Sequence, residues 1–227
     1  MKIEALDHVA LWTNDRDTLA RFLCDHLGMH EVERTDAFTL VGADARRGKL
    51  TLFAAEGERR PGPLRRIAFA VPNLAHALSR LPRGLGVERI GSLEARFAWP
   101  GGLGLGLVER TDIAEYDIDH VELAVSDQAA ARIELLGLGF ELDGDRLLAG
   151  STFVDLLEER IDQEERPLLN HLGLRVRSAE EHISEAVRRR LEIADVVDAP
   201  NTYALFVYGP ERIKLEYVEH KASFALR

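Results

Sequence analysis

The pattern of apolar and polar positions along this chain restarts four times. Each restart is a short, nearly unbroken apolar run. The first is Leu6-Asp7-His8-Val9-Ala10-Leu11-Trp12 and the second Arg66-Ile67-Ala68-Phe69-Ala70-Val71. The third opens with Ile118-Asp119-His120-Val121, and the fourth is Asn170-His171-Leu172-Gly173-Leu174-Arg175-Val176. Runs of this length and content predict strands. After each comes a polar cap and then apolar residues three and four apart, the spacing of a helix with one buried face. Asn14 and Asp15 precede Leu19, Phe22, Leu23 and Leu27, with Gly28 as the stop. Asn73 precedes Leu74, Leu78 and Leu81, and Ser126 precedes Ile133 and Leu136. Ser178 and Glu181 form a capping box before Ile183, Val187 and Leu191. Further short apolar runs close each unit, ending with Leu103 to Val108, Phe153 to Leu157 and Ile213 to Val218 in the last three.

The repeated unit is therefore strand, helix, then two or three strands, with starts near positions 6, 65, 118 and 169. Hairpin-connected strands with interspersed helices predict an α+β fold, the helices covering curved sheets. The chain says Leu-Asp-His-Val at 6–9 and Ile-Asp-His-Val at 118–121, which sets two halves against each other. Pairing neighbouring modules gives two domains, 1–110 and 117–220.

Composition narrows the function classes. With 46% hydrophobic and 30% charged residues in 227, the chain has the balance of an ordinary globular protein. A net charge of −10 argues against a nucleic-acid partner, which asks for a basic face. No run approaches the ~18 apolar residues of a membrane span, and Met1-Lys2-Ile3-Glu4 has no apolar signal core. The single cysteine, Cys24, excludes an internal disulfide framework, so a cytoplasmic location is expected. Exposed strand edges leave room for a homodimer.

Aligning the module starts makes His8, Arg66, His120 and His171 equivalent. Aligning the ends does the same for Phe53, Gly106, Asp155 and Glu216. Under neighbour pairing the first half offers one usable metal ligand, and His8 reads as a structural residue. The second half collects His120, Asp155, His171 and Glu216. Two imidazoles and a carboxylate on one side of an ion suit non-haem Fe(II) and also accommodate Mn(II). Phe153, Tyr203 and Phe206 are the candidate substrate-pocket residues, with rings that could face a planar ligand. His182 reads as a surface residue on the fourth helix, and Glu158, Glu159 and Glu219 as solvated.

This layout resembles the vicinal oxygen chelate superfamily, built from βαβββ modules, which includes glyoxalases, bleomycin-resistance proteins and type I extradiol dioxygenases. The resemblance covers nearly the whole chain and is closest in layout to the extradiol dioxygenases. It implies metal ligation by His120, His171 and Glu216, with Pro210-Glu211-Arg212-Ile213-Lys214-Leu215-Glu216-Tyr217 similar to that family's ligand-bearing end segment. It implies Fe(II), dioxygen and a catechol-like small molecule as reactants. The chain departs from the family in three places. Asp155 stands where a second-sphere His is usual, and is read as the acid–base residue. Phe206 replaces a Tyr, and Pro200-Asn201-Thr202 replaces the region of another His. Glyoxalase-like members use two His and two carboxylates, which His120, Asp155, His171 and Glu216 would also satisfy, with Mn(II), Ni(II) or Zn(II) in an isomerase or lyase. A non-catalytic binding protein of the bleomycin-resistance type is the third expectation.

Overall fold

The four apolar restarts become the central strands of two sheets in the computed structural model, which describes residues 1–161 and 166–224. Module one comprises β1 (Ala5–Thr13), α1 (Arg16–His26), β2 (His30–Arg34), β3 (Phe38–Gly42) and β4 (Lys49–Ala54). Module two comprises β5 (Leu64–Val71), α2 (Leu74–Ser79), β6 (Glu88–Ile90), β7 (Glu94–Trp99) and β8 (Leu103–Glu109). Module three comprises β9 (Ile118–Val125), α3 (Gln128–Gly137), β10 (Glu141–Asp143), β11 (Arg146–Ala149) and β12 (Thr152–Glu158). Module four comprises β13 (Leu169–Arg175), α4 (Ala179–Arg189), β14 (Ile193–Asp198), β15 (Thr202–Tyr208) and β16 (Lys214–His220).

Each expected helix starts at a capped residue. Asp15, Asn73, Asp127 and Ser178 accept a backbone N–H from the first turn of α1, α2, α3 and α4 respectively. In three modules a carboxylate at a strand end adds a second tie to the helix start. Glu109 Oε2 accepts from Leu74 N (2.8 Å), Glu158 Oε2 from Gln128 N (3.3 Å) and Glu219 Oε2 from Ala179 N (2.9 Å). Glu158 and Glu219 are thus cap residues rather than merely solvated ones, because an anion offsets the positive end of a helix. Ile133 and Val187, expected inward, are exposed. The small residues Ala131 and Ala179, with Ala186, set the buried stripes of α3 and α4 and turn those two side chains outward. His182 is buried instead of exposed. Its ring stacks on Tyr217, and Nδ1 donates to Ser178 O at 2.7 Å.

The modules pair across the halves, not within them. One eight-stranded sheet runs β14-β15-β16-β13-β1-β4-β3-β2, joining modules four and one. The other runs β10-β11-β12-β9-β5-β8-β7-β6, joining modules three and two. Residues 1–110 and 117–220 therefore contribute to both sheets, in place of one domain each. All four starting strands have alike edges, so any of them can serve as another's antiparallel partner, and the repeat alone does not select one. The sheets are joined through their helices: Phe22 of α1 packs on Trp99 of β7 with centroids 4.5 Å apart. Tyr217 of β16 donates to Leu138 O at the end of α3, at 2.6 Å.

The two central strand pairs share one register. In the first sheet His8 lies opposite Gly173 and Ala10 opposite His171. In the second Arg66 lies opposite Glu122 and Ala68 opposite His120. Outward from these, Glu216 pairs with Gly173 and Thr51 with Ala10, matched by Asp155 with Glu122 and Gly106 with Ala68. The equivalent of Glu216 in module one is thus Thr51, two residues before the Phe53 expected there.

Candidate metal centre

Strand alternation puts His8 of β1, His171 of β13 and Glu216 of β16 on one face of the first sheet. Their donor atoms converge. His8 Nε2 is 2.9 Å from His171 Nε2, and Glu216 Oε2 is 3.1 Å from each of them. All three side chains are nearly buried. Each imidazole is oriented from behind. His8 Nδ1 donates to Asp7 Oδ2 at 2.9 Å, and His171 Nδ1 donates to Asn170 Oδ1 at 3.0 Å. Both Nε2 lone pairs are thereby turned toward Glu216, as second-shell partners do for metal-bound histidines.

These residues fit a divalent metal. Glu216 Oε2 is buried and lies off the line of any ring N–H, so it has no hydrogen-bond donor despite two nitrogens at 3.1 Å. An orphaned buried carboxylate oxygen facing two imidazole lone pairs is costly unless a cation sits among them. Donors at about 2.1 Å from one ion stand about 3.0 Å apart at right angles and about 3.4 Å apart in a tetrahedron. The observed separations match the right-angled, facial arrangement, which leaves positions open on the far side.

Without metal, a proton does part of the same work. Burial pulls the His8 imidazole down, but the hydrogen bond to Asp7, the Glu216 carboxylate 3.1 Å away and the negative charges of both outweigh it and carry it up to about 9. Burial raises the Glu216 carboxyl, yet His171 and His8 bring it down to about 2. His171 is lowered, chiefly by burial. For Asp7, burial is again outweighed, by His220, His8 and Lys49, and its carboxyl lies well below the usual range.

The centre opens into a cavity of about 490 Å³. Phe38, Phe53, Phe206 and Phe224 line it together with Lys49, Thr51, Glu33 and His220. Asp7 ties this polar group to the ligands: Oδ2 accepts from Lys49 Nζ at 2.8 Å, and Oδ1 lies 3.2 Å from His220 Nε2. Phe224 stacks on the His220 ring at 3.8 Å, with planes 7° apart.

The expected set divides between the sheets. His171, Glu216 and Phe206 come together in this centre, with the Phe206 ring edge-on to His171 at 5.3 Å. His120 lies in the other sheet, where Nδ1 donates to Asp119 Oδ2 at 2.7 Å and Arg66 bonds Glu122 beside it. Asp155 is held there by Arg146 through bonds of 2.7 and 2.6 Å, and Phe153 stacks under the same guanidinium. Neither can serve His171. Tyr203 points away from the cavity, its hydroxyl donating to Glu180 at 3.3 Å. His8 takes the place expected of His120, because β1 rather than β9 pairs with β13. His8 was visible in the repeat; only its partner was not. His220 had a signal too, four residues after Glu216 and so on the same strand face.

Residues 5–92 match the family model described as Glyoxalase/Bleomycin resistance protein/Dioxygenase superfamily. The match covers β1 to β6, less than half of the chain, and is a likeness to that superfamily. Its members generally bind a divalent metal and small-molecule substrates. Among solved structures, a "putative dioxygenase" from Bacillus subtilis subsp. subtilis str. 168 is similar at TM-score 0.78 and 18% identity, covering 99% of this chain and 87% of that one. Glyoxalase I from Zea mays is similar at TM-score 0.73 and 16% identity, covering 95% and 92%. The cppA protein from Streptococcus pneumoniae TIGR4 is similar at TM-score 0.68 and 15% identity, covering 96% and 100%. These likenesses establish the two-domain vicinal oxygen chelate fold. No curated protein matches the sequence. Among the described residues, no helix is long and apolar enough to cross a membrane.

Proposed function

We propose that this protein is a metal-dependent enzyme in which His8, His171 and Glu216 hold Fe(II), and that it acts on a catechol-like substrate with dioxygen, in the manner of a ring-cleaving dioxygenase. The observation that carries this reading is the fourth corner of the centre. Register puts Thr51 there, a neutral hydroxyl and a poor ligand beside imidazole and carboxylate. Three strong ligands leave room for both a two-oxygen chelator and a second small molecule. A fourth carboxylate, as in the isomerase pattern, would occupy that room.

A divalent ion at this place supplies Lewis acidity toward two adjacent substrate oxygens and, as iron, access to dioxygen. The rest is done by the chain. Asp7 and Asn170 hold the imidazoles in one tautomer each. Phe38, Phe53 and Phe206 wall a flat ligand and exclude water. His220, with Nε2 toward Asp7, keeps the Nδ1 lone pair for the proton of a substrate hydroxyl. Asp7 then steadies the imidazolium that results.

Oxygen uptake tests the reading. Protein loaded anaerobically with Fe(II) should consume dioxygen with at least one member of a catechol panel and yield a product carrying both oxygen atoms. A second reading, a non-redox isomerase or lyase, is favoured by the Glu33 carboxylate in the same cavity, a base of the right kind for enolisation. Turnover without dioxygen on Mn(II), Ni(II) or Zn(II) would select it, and catechol inertness with that result would end the dioxygenase proposal.

A further inference from the structure

Gly173 lies directly across from ligand His8 and next to ligand Glu216. A Cβ at this position would fall inside contact distance of three atoms of the His8 ring, including Nε2 at 2.8 Å. The backbone does not ask for glycine: φ at Gly173 is outside the left-handed region. The close approach is also specific, since the three nearest atoms all belong to His8. Glycine in a strand interior is otherwise unfavourable, and it marks places where another group must approach closely.

The second sheet differs at both members of this pair. Glu122 occupies the position equivalent to Gly173, and Arg66 the position equivalent to His8. There the carboxylate bonds the guanidinium, with Glu94 Oε1 2.8 Å from the other Arg66 terminal nitrogen. Charge compensation by a guanidinium stands where the first sheet gathers three metal donors. His120 and Asp155, the counterparts of His171 and Glu216, survive beside it without forming a centre.

We infer that Gly173 is a positioning residue: by having no side chain it lets the His8 ring lie across β13 and reach His171 and Glu216. The inference rests on the metal centre proposed above.

Cobalt(II) titration of the full-length protein, followed by visible absorption and calorimetry, tests it with Gly173→Ala, His8→Ala and the double variant. Gly173→Ala should weaken Co(II) binding roughly 10–100-fold, the range for losing an orienting partner, and change the band shape. In the His8→Ala background the same substitution should change neither, because its effect passes through His8. If Gly173→Ala does not fold but the double variant does, the clash is with His8 and the inference stands. An equal loss in both backgrounds, no loss in either, or a double variant that also fails to fold would overturn it. Wild-type protein that binds no Co(II) overturns the metal reading itself, which distinguishes that failure from one confined to Gly173.

Discussion

Raising the pH should remove a stabilising contribution of His8 from the metal-free protein. In the folded state its imidazole is carried up to about 9 from an ordinary 6.5, after burial is outweighed by Asp7 and Glu216. The folded chain therefore holds this proton more tightly than the unfolded chain does. Below pH 6.5 both states are protonated and the contribution is fully present. Between 6.5 and 9 the unfolded state has released the proton and the folded state has not, so stability falls, and above 9 the contribution is gone. The interval corresponds to about 3 kcal/mol at most. For a chain of this size that is about 6–12 °C in melting temperature. The assay is thermal or urea unfolding of chelator-stripped protein from pH 6 to 9.5, alongside His8→Gln. The difference between the two proteins reports His8 together with the Asp7, His171 and Glu216 groups coupled to it. Metal reverses the trend, since the ion takes the proton's place and binds better as protons leave. Parallel curves for wild type and His8→Gln would refute the proposed coupling of His8 to Asp7 and Glu216.

Three further outcomes are expected. Thr51→Glu should supply the missing fourth ligand, tightening Zn(II) or Ni(II) binding at least tenfold in calorimetry while suppressing oxygen uptake; unchanged affinity would contradict the register-based equivalence of Thr51 and Glu216. Arg66→Met should leave Glu94 and Glu122 without their cation and cost about 3 kcal/mol in urea unfolding, the low end for a broken buried pair because both carboxylates keep some solvent. Its metal content should match wild type, and a loss of metal would tie the second face to the centre. His220→Gln should keep full metal occupancy yet lower kcat by about 10²–10⁴; a change in KM alone would make His220 a wall of the cavity and no more.

Much of the fold was legible because local signals agreed. The four apolar restarts, the capped helices and the closing strands all appear in the structure near their expected places. Of the three expected ligands, the structure brings His171 and Glu216 together, as their module positions suggest. The third was misread for a physical reason. A repeat shows which residues are equivalent, but not which strand edge meets which, and that depends on long-range packing between modules. Neighbour pairing made His120 the partner of His171; cross pairing makes it His8. The same gap hid Thr51, since a two-residue offset in β4 changes the corner without changing the apolar pattern. Asp155 lies apart from His171 and Glu216, in the other sheet, where its ion pair with Arg146 joins adjacent strands β11 and β12. Gly173 is a case where absence of a side chain carries the information, and only register gives it meaning.

The most direct test is metal content of wild type, His8→Ala and His120→Ala after anaerobic loading with Fe(II) and desalting. Near-stoichiometric iron in wild type and His120→Ala, with little in His8→Ala, is the predicted result. Iron retained in His8→Ala but lost in His120→Ala would contradict the centre and the cross-half pairing that builds it.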